Sequence, residues 1–216
     1  MTTTGFFLRC WKSQRLSQIL QALRGLVAVF YLTVPALVLA DAVKTEILQL
    51  ELERQVDGLY LTAAMQFELS PVIEDALQKG VPMYFVAEAD LYRNRWYWYD
   101  KKIANAERHV RLAYQPLTRR WRITVAAGLI SGTGLGLNQI FDTLPDAIAA
   151  VKRLSRWKIA DAADLDSDQK VNLDFRFRMD LTQLPRPFQI GALGQTDWNI
   201  STSLVRPVVL PESGAK

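Results

Sequence analysis

The sequence predicts an α+β domain, with an antiparallel sheet or sandwich of about seven strands and two short covering helices. Two observations predict this class. Apolar and polar residues alternate with period two in several separate stretches joined by turn signals. Only two stretches have the capping and termination signals of a helix. Because a parallel sheet would need a helix after nearly every strand, we expect the strands to pair antiparallel.

The first two strands are predicted to form a hairpin. Apolar runs at 47–52 and 59–69 lie on either side of the turn signal Val56-Asp57-Gly58. Runs of strand length that flank an Asp-Gly turn are typical of two antiparallel strands joined by a tight turn.

A short helix is predicted next, over 70–80. Ser70 can cap its N-terminus, Pro71 suits its first turn, and Gly80 can supply a left-handed stop. This helix would cover the sheet with an apolar face formed by Val72, Ile73 and Leu77.

Three strands in meander order are predicted between Val81 and Ala126. In the first, alternation places one set of side chains in the core and the other set on the opposite face. The core set is Met83, Phe85, Ala87, Ala89 and Leu91, and the opposite set is Tyr84, Val86, Glu88, Asp90 and Tyr92. The other two strands lie on either side of 115–118.

The remaining elements are a loop, a helix and two strands. The glycine-rich stretch 126–141 is expected to be a flexible loop or a loosely paired hairpin tip. A capping box of Thr143 and Asp146 starts a second helix, whose apolar spacing continues to Leu154. Strict alternation of apolar and polar residues predicts a strand over 171–181, with one face in the core and the other exposed to solvent. A last strand is expected over 198–205, followed by a disordered tail at 207–216.

The first forty residues have the composition of a secretion leader. They hold four basic residues and no acidic one, and the apolar run Leu26–Leu39 is about fourteen residues long. A membrane-spanning helix needs roughly twenty residues. Small residues then offer cleavage after Ala40 or Ala42. We therefore expect 1–40 to be a signal peptide, or else an uncleaved anchor.

The charge balance follows from this division. The chain has 26 basic and 22 acidic residues, and removing the leader's 4 basic residues leaves 22 of each sign. The predicted domain, 41–206, is therefore part of a formally neutral body, and we expect no nucleic-acid partner. The only cysteine, Cys10, lies in the leader, so the exported part would have no disulfide and no thiolate metal site.

The predicted location is the periplasm, with an inner-membrane anchored periplasmic domain as the alternative. The basic flank would keep the N-terminus in the cytoplasm in either case. Contact with the membrane is expected only through the N-terminal segment, if it stays uncleaved. An envelope protein or an anionic envelope component is the expected partner, and no cofactor is expected.

Several segments together resemble a known family. They are "SPVIEDALQKGVPMYFVAEADLYRNRWYWYD", "HVRLAYQPLTRRWRI", "FDTLPDAIAAVKRLSRW" and "QLPRPFQIGALGQTDWNIS". With the leader, they resemble the exported bacterial proteins of domain of unknown function 4390, some of which are labelled proline-rich signal peptide proteins. The resemblance implies an envelope location and no particular activity.

The sequence contains few residues in patterns typical of metal, nucleotide or catalytic sites. His109, the only histidine, is expected to be an exposed strand residue rather than a metal ligand or a triad member. The glycines of "SGTGLGLNQIF" lack the spacing of a nucleotide-binding loop. Glu88 and Asp90 share a strand face at about 6 to 7 Å, a separation that would allow a glycosidase pair, but a solvated strand face explains the same residues without chemistry.

The aromatic row 96–99, flanked by basic residues, predicts a binding surface or a buried strand. Because successive strand residues alternate, Trp96 and Trp98 are expected near the core and Tyr97 and Tyr99 nearer the surface. The leading hypothesis is a non-enzymatic module that binds a partner through this surface, and the alternatives are a glycan-active hydrolase using Glu88 and Asp90 or a membrane-tethered sensory accessory. The candidate surface comprises Tyr84, Glu88, Asp90, Tyr92, Arg93, Arg95, Tyr97 and Tyr99.

Overall fold

The computed structural model describes residues 45–93, 101–129, 136–165, 170–192 and 195–209, which contain nine strands, three α-helices and three short 3-10 helices. The strands are β1 Glu46–Gln55, β2 Gly58–Gln66, β3 Met83–Arg93, β4 Lys101–Gln115, β5 Arg120–Ala126, β6 Leu137–Phe141, β7 Arg153–Asp161, β8 Lys170–Met179 and β9 Ser201–Val209. The helices are α1 Pro71–Gln78, α2 Leu144–Val151 and α3 Arg186–Ala192. None of the helices in these ranges is long and apolar enough to cross a membrane.

The strands form two antiparallel sheets that enclose one core. The smaller sheet has the order β1-β2-β7, and the larger has the order β6-β5-β4-β3-β8-β9. Phe67, which follows β2, packs against Phe85 of β3 and Phe177 of β8, with ring centroids 5.7 and 5.6 Å away. The predicted antiparallel α+β class is therefore confirmed as a sandwich, with more strands and one more helix than expected among the described residues.

The first hairpin and α1 form as their local signals predict. β1 and β2 pair on either side of the turn at Val56 and Asp57. Ser70 accepts a hydrogen bond from the Ile73 amide, which satisfies one free donor at the start of α1, and Gly80 has φ +85°. The predicted apolar face of α1 is wrong at Val72, which is exposed, because the buried stripe is formed by Ile73, Ala76 and Leu77.

The meander of β3, β4 and β5 is confirmed, and β6 extends it. All five predicted core residues of β3 are buried. The glycine-rich stretch continues into β6, which pairs with β5 from Val125↔Leu137 to Trp121↔Phe141. Of the two forms expected for this stretch, the structure has the hairpin, although no separate strand was predicted over 137–141, where four of five residues are exposed on the sheet edge. Residues 130–135 lie outside the described residues.

The second helix ends earlier than predicted, and a strand replaces its last turns. Thr143 caps α2 by accepting from the Asp146 amide, but Leu154 belongs to β7. Pairing of β7 with β2 is irregular at two places, and Arg156 adopts φ +43°. Buried residues are therefore unevenly spaced in β7, at Leu154, Trp157, Ile159 and Ala160, which hides the period of a strand.

The C-terminal third contains the strongest predicted strand and one unexpected helix. β8 has the predicted alternation, with Val171, Leu173, Phe175, Phe177 and Met179 buried. The short α3 was not predicted, because proline and glycine at positions 187 and 191 are poor helix formers. The last strand begins at Ser201 rather than Trp198 and continues to Val209, past the predicted start of the tail at residue 207. Residues 210–216 lie outside the described residues.

Candidate functional site

Charged side chains from three neighbouring strands meet on the outer face of the larger sheet, the face turned away from the smaller sheet. Strand pairing places Glu88 of β3 opposite Arg176 of β8, and Asp90 of β3 opposite Asp174 of β8 and Asn105 of β4. We call this cluster the charged face, and it consists of Glu88, Asp90, Lys102, Asp174, Arg176 and Arg178.

Asp90 is the most buried carboxylate of the charged face. It accepts hydrogen bonds from Asn105 Nδ2 at 2.6 Å and from the Tyr92 hydroxyl at 3.2 Å, and Lys102 Nζ lies 2.8 Å away. Burial by itself would raise the pKa of Asp90, but the hydrogen bonds from Lys102, Asn105 and Tyr92 together hold that pKa below its ordinary value. Asp90 is therefore ionised at neutral pH.

Two arginines of β8 cross over the carboxylates. Arg176 makes two hydrogen bonds to Asp174, and it lies 3.8 Å from Glu88 and 3.9 Å from Asp90. The hydrogen bonds and charge of Asp174 raise the pKa of Arg176. Arg178 donates to Glu88 Oε1 at 2.8 Å. Planar guanidinium groups paired in this way are held in a fixed orientation.

The two signs of charge occupy different depths. The side chains of Lys102, Arg176 and Arg178 are 44 to 47% exposed, whereas those of the carboxylates Glu88, Asp90 and Asp174 are only 8 to 20% exposed. Anything that approaches this face therefore meets cations first. The carboxylates beneath fix the positions of the cations.

Tyrosines border the charged face along β3. Tyr92 lies under Lys102, and Tyr84 lies under Arg111, with each cation 5.9 Å from the ring centroid. Arg93, at the end of β3, is half-buried. Four predicted site residues, Tyr84, Glu88, Asp90 and Tyr92, thus share one face. That these residues form a ligand surface stays a prediction, and Arg95, Tyr97 and Tyr99 lie outside the described residues.

His109 is not the exposed residue that we expected. It is only 6% exposed, because β4 is an interior strand and His109 stands between Val86 of β3 and Ala126 of β5. Its Nε2 lies 3.5 Å from a Glu107 carboxylate oxygen. Within the described ranges, no group of three or more His, Cys, Asp or Glu side chains is arranged to hold a metal ion.

Basic residues of β4 and β5 lie on both faces of the larger sheet. Arg111 and Arg122 are on the outer face, since they pair with Tyr84 and Ile140. Arg108 pairs with Ala87, a core residue, and therefore lies on the inner side of the same sheet. Sequence reasoning could not separate these groups, because their assignment depends on strand register.

Glu88 and Asp90 both contact cations of the charged face. A glycosidase needs one carboxylic acid that stays protonated at working pH, with a raised pKa. Asp90 has a lowered pKa, and Glu88 lies against both Arg176 and Arg178. These contacts favour a carboxylate that holds cations in place.

The surface predicted from the sequence lacked four residues of the charged face, Lys102, Asp174, Arg176 and Arg178. Alternation along β8 correctly placed Arg176 and Arg178 on the wet face. The missing information was the pairing of β8 with β3, which are more than seventy residues apart in the chain. No local pattern encodes that contact.

A family model, Domain of unknown function (DUF4390), matches residues 42–206 of the chain. The chain belongs to this family. Membership confirms the family resemblance over the matched residues and assigns no activity to the DUF4390 domain, and export of the chain stays a prediction. The chain matches no curated protein and no solved structure.

Proposed function

We propose that this DUF4390 protein is an exported, non-enzymatic binding module of the bacterial cell envelope, and that it holds an anionic envelope partner against the charged face. The observation that carries the proposal is the layering of charge. Half-exposed cations lie above less exposed carboxylates that pair with them. An ordered set of cations at fixed spacing suits recognition of acidic groups, since electrostatic complementarity gives specificity.

The paired state of the carboxylates supports binding over catalysis. Removing the Arg178 guanidinium would leave Glu88 with only the more distant Arg176, so the arginines and acids support one another. A surface built in this way keeps its geometry before a partner arrives. Preorganised groups lose less conformational entropy on binding than freely rotating ones.

The envelope location comes from the leader. Its basic residues precede a short apolar run and small residues, as in a cleaved signal peptide. In that compartment, acidic proteins and phosphate-bearing surface molecules replace nucleic acids as the anions available for binding.

Site-specific photo-crosslinking in cells tests the proposal. A photoreactive residue at Tyr92, beside the charged face, should capture an envelope partner, and Arg176→Gln with Arg178→Gln should reduce that capture several-fold. The matched control replaces two exposed basic residues elsewhere, Lys79→Gln with Arg186→Gln, and should leave capture unchanged.

Thermal unfolding of both double variants shows whether each remains folded. Equal capture by the wild type and the folded arginine variant would contradict a role for the charged face. A glycan-hydrolysing activity that disappears in a folded Glu88→Gln variant would contradict the non-enzymatic assignment.

A further inference from the structure

A groove of about 390 Å³ opens between the inner side of the larger sheet and the elements α2 and β7. It borders the core, since four of its lining residues, Val110, Ile123, Val151 and Leu154, belong to the buried core cluster. Its apolar walls are contributed by Val110, Ile123, Val125, Leu137, Val151 and Leu154. This volume falls within the range of small-molecule sites, about 300 to 1,000 Å³.

Arg108 supplies a cation to this groove, whose lining combines apolar and polar side chains. Its guanidinium lies 5.2 Å from the centroid of the Trp157 ring, and no carboxylate among the described residues forms an ion pair with it. Burial lowers the pKa of Arg108. The groove therefore contains a half-buried positive charge that has lost part of its hydration without gaining an acidic partner.

Arg111, which lies over the Tyr84 ring, resembles Arg108 in this respect, whereas other cations of the domain have acidic partners. Arg176 and Arg178 each contact carboxylates, and Lys102 contacts Asp90. Buried charges in proteins are usually paired, because desolvation of an isolated charge is costly. A bound anion would supply the missing partner for Arg108.

We propose that the groove binds a single-chain amphiphile whose carboxylate head pairs with Arg108 and whose apolar chain lies along the walls. A guanidinium matches the two oxygens of a carboxylate in a planar, bidentate geometry. Arg153 and Gln139, which also line the groove, add a second cation and a hydrogen-bond donor for the head. This inference concerns a different face from the charged face and does not depend on the proposed function.

The volume limits the length of the chain. At about 30 Å³ for each water-sized group, 390 Å³ accommodates about thirteen non-hydrogen atoms. Decanoate has about that number. A ten-carbon carboxylate is therefore the probe of choice, and much longer chains would have to extend out of the groove.

Calorimetric titration with decanoate, below its micellar concentration and without detergent, tests the site. We expect saturable binding of one decanoate for each protein, and no measurable binding of acetate or of decanol at the same concentrations. Acetate lacks the apolar chain and decanol lacks the charge. Decanol binding as tightly as decanoate would overturn the role of Arg108, and absence of decanoate binding would overturn the site.

Two variants locate the bound head and chain. Arg108→Gln should weaken decanoate binding about tenfold or more, which corresponds to about 1.4 kcal/mol. Leu137→Asp should weaken it as well, because it adds a carboxylate to the wall at a position on the edge strand that is 76% exposed and so tolerates substitution. The matched control is Arg122→Gln, an exposed arginine on the outer face of the same sheet, which should bind like the wild type.

Folding of each variant is checked by its thermal unfolding midpoint. Should Arg108→Gln fail to fold, Leu137→Asp alone decides the matter. Wild-type affinity in a folded Leu137→Asp variant would overturn the inference, and so would an equal loss of affinity in Arg122→Gln.

Discussion

The substitution Asp90→Asn tests whether the Asp90 carboxylate stabilises the folded protein. Asn keeps the shape of the side chain and removes its charge. Asp90 interacts with Asn105, Lys102 and Tyr92 at 2.6, 2.8 and 3.2 Å. A hydrogen bond to a charged group contributes about 1 kcal/mol more than a neutral one, so three such bonds give about 3 kcal/mol. Because Lys102 is half-exposed, its share is smaller, and we expect a loss of about 2 kcal/mol.

The same substitution should change how stability depends on pH. The pKa of Asp90 is held below its ordinary value of 3.8 in the folded protein, so the folded state favours the ionised form. Its stabilisation is complete above pH 3.8 and is lost as the pH falls further, through the folded-state pKa. The difference in free energy of unfolding between the wild type and Asp90→Asn should therefore shrink at low pH.

Urea unfolding at neutral pH and at successively lower pH measures both effects. Glu68→Gln is the matched control, because Glu68 is an exposed carboxylate outside the charged face, and its replacement should change stability by no more than about 0.5 kcal/mol. Stability of Asp90→Asn equal to that of the wild type, or a difference that persists unchanged in acid, would refute the structural role of Asp90.

Two further predictions concern the fold. Phe177→Ala should lower the free energy of unfolding by about 3 to 5 kcal/mol, because the buried Phe177 ring lies 5.6 and 5.9 Å, centroid to centroid, from the rings of Phe67 and Phe85. Urea unfolding measures this change, and a loss below about 1 kcal/mol would contradict the shared core. Thr143→Ala should lower the free energy of unfolding by about 1 kcal/mol because it removes the cap of α2, whereas Thr143→Ser should keep most of the wild-type stability. Equal stability of the wild type and both variants would contradict the cap.

Elements with local signals could be predicted from the sequence. Both faces of β3 were assigned correctly because successive strand residues point to opposite faces, and α1 begins at its capping residue as expected. β7 was missed because irregular pairing with β2 and the positive φ of Arg156 disturb the period that identifies a strand. β6 was not predicted as a separate strand because an exposed edge strand buries too little apolar surface to show a pattern.

The candidate site was only half predictable for a related reason. Glu88 and Asp90 are adjacent on one strand, so their shared face could be inferred from the sequence. Their partners Arg176 and Arg178 come from β8, and Lys102 comes from β4 beyond a register shift. The pairing of β3 with β4 and β8 decides which cations contact the two carboxylates. The same pairing turns Arg108 inward and Arg111 outward.

The location of the mature chain tests the central claim most directly, since an envelope partner requires export. Cell fractionation followed by mass spectrometry of the N-terminus should find the protein in the periplasm, beginning at Asp41 or Val43 after removal of the leader. An intact chain that starts at Met1 and accumulates in the cytosol would contradict the account and restore cytosolic anions as candidate partners.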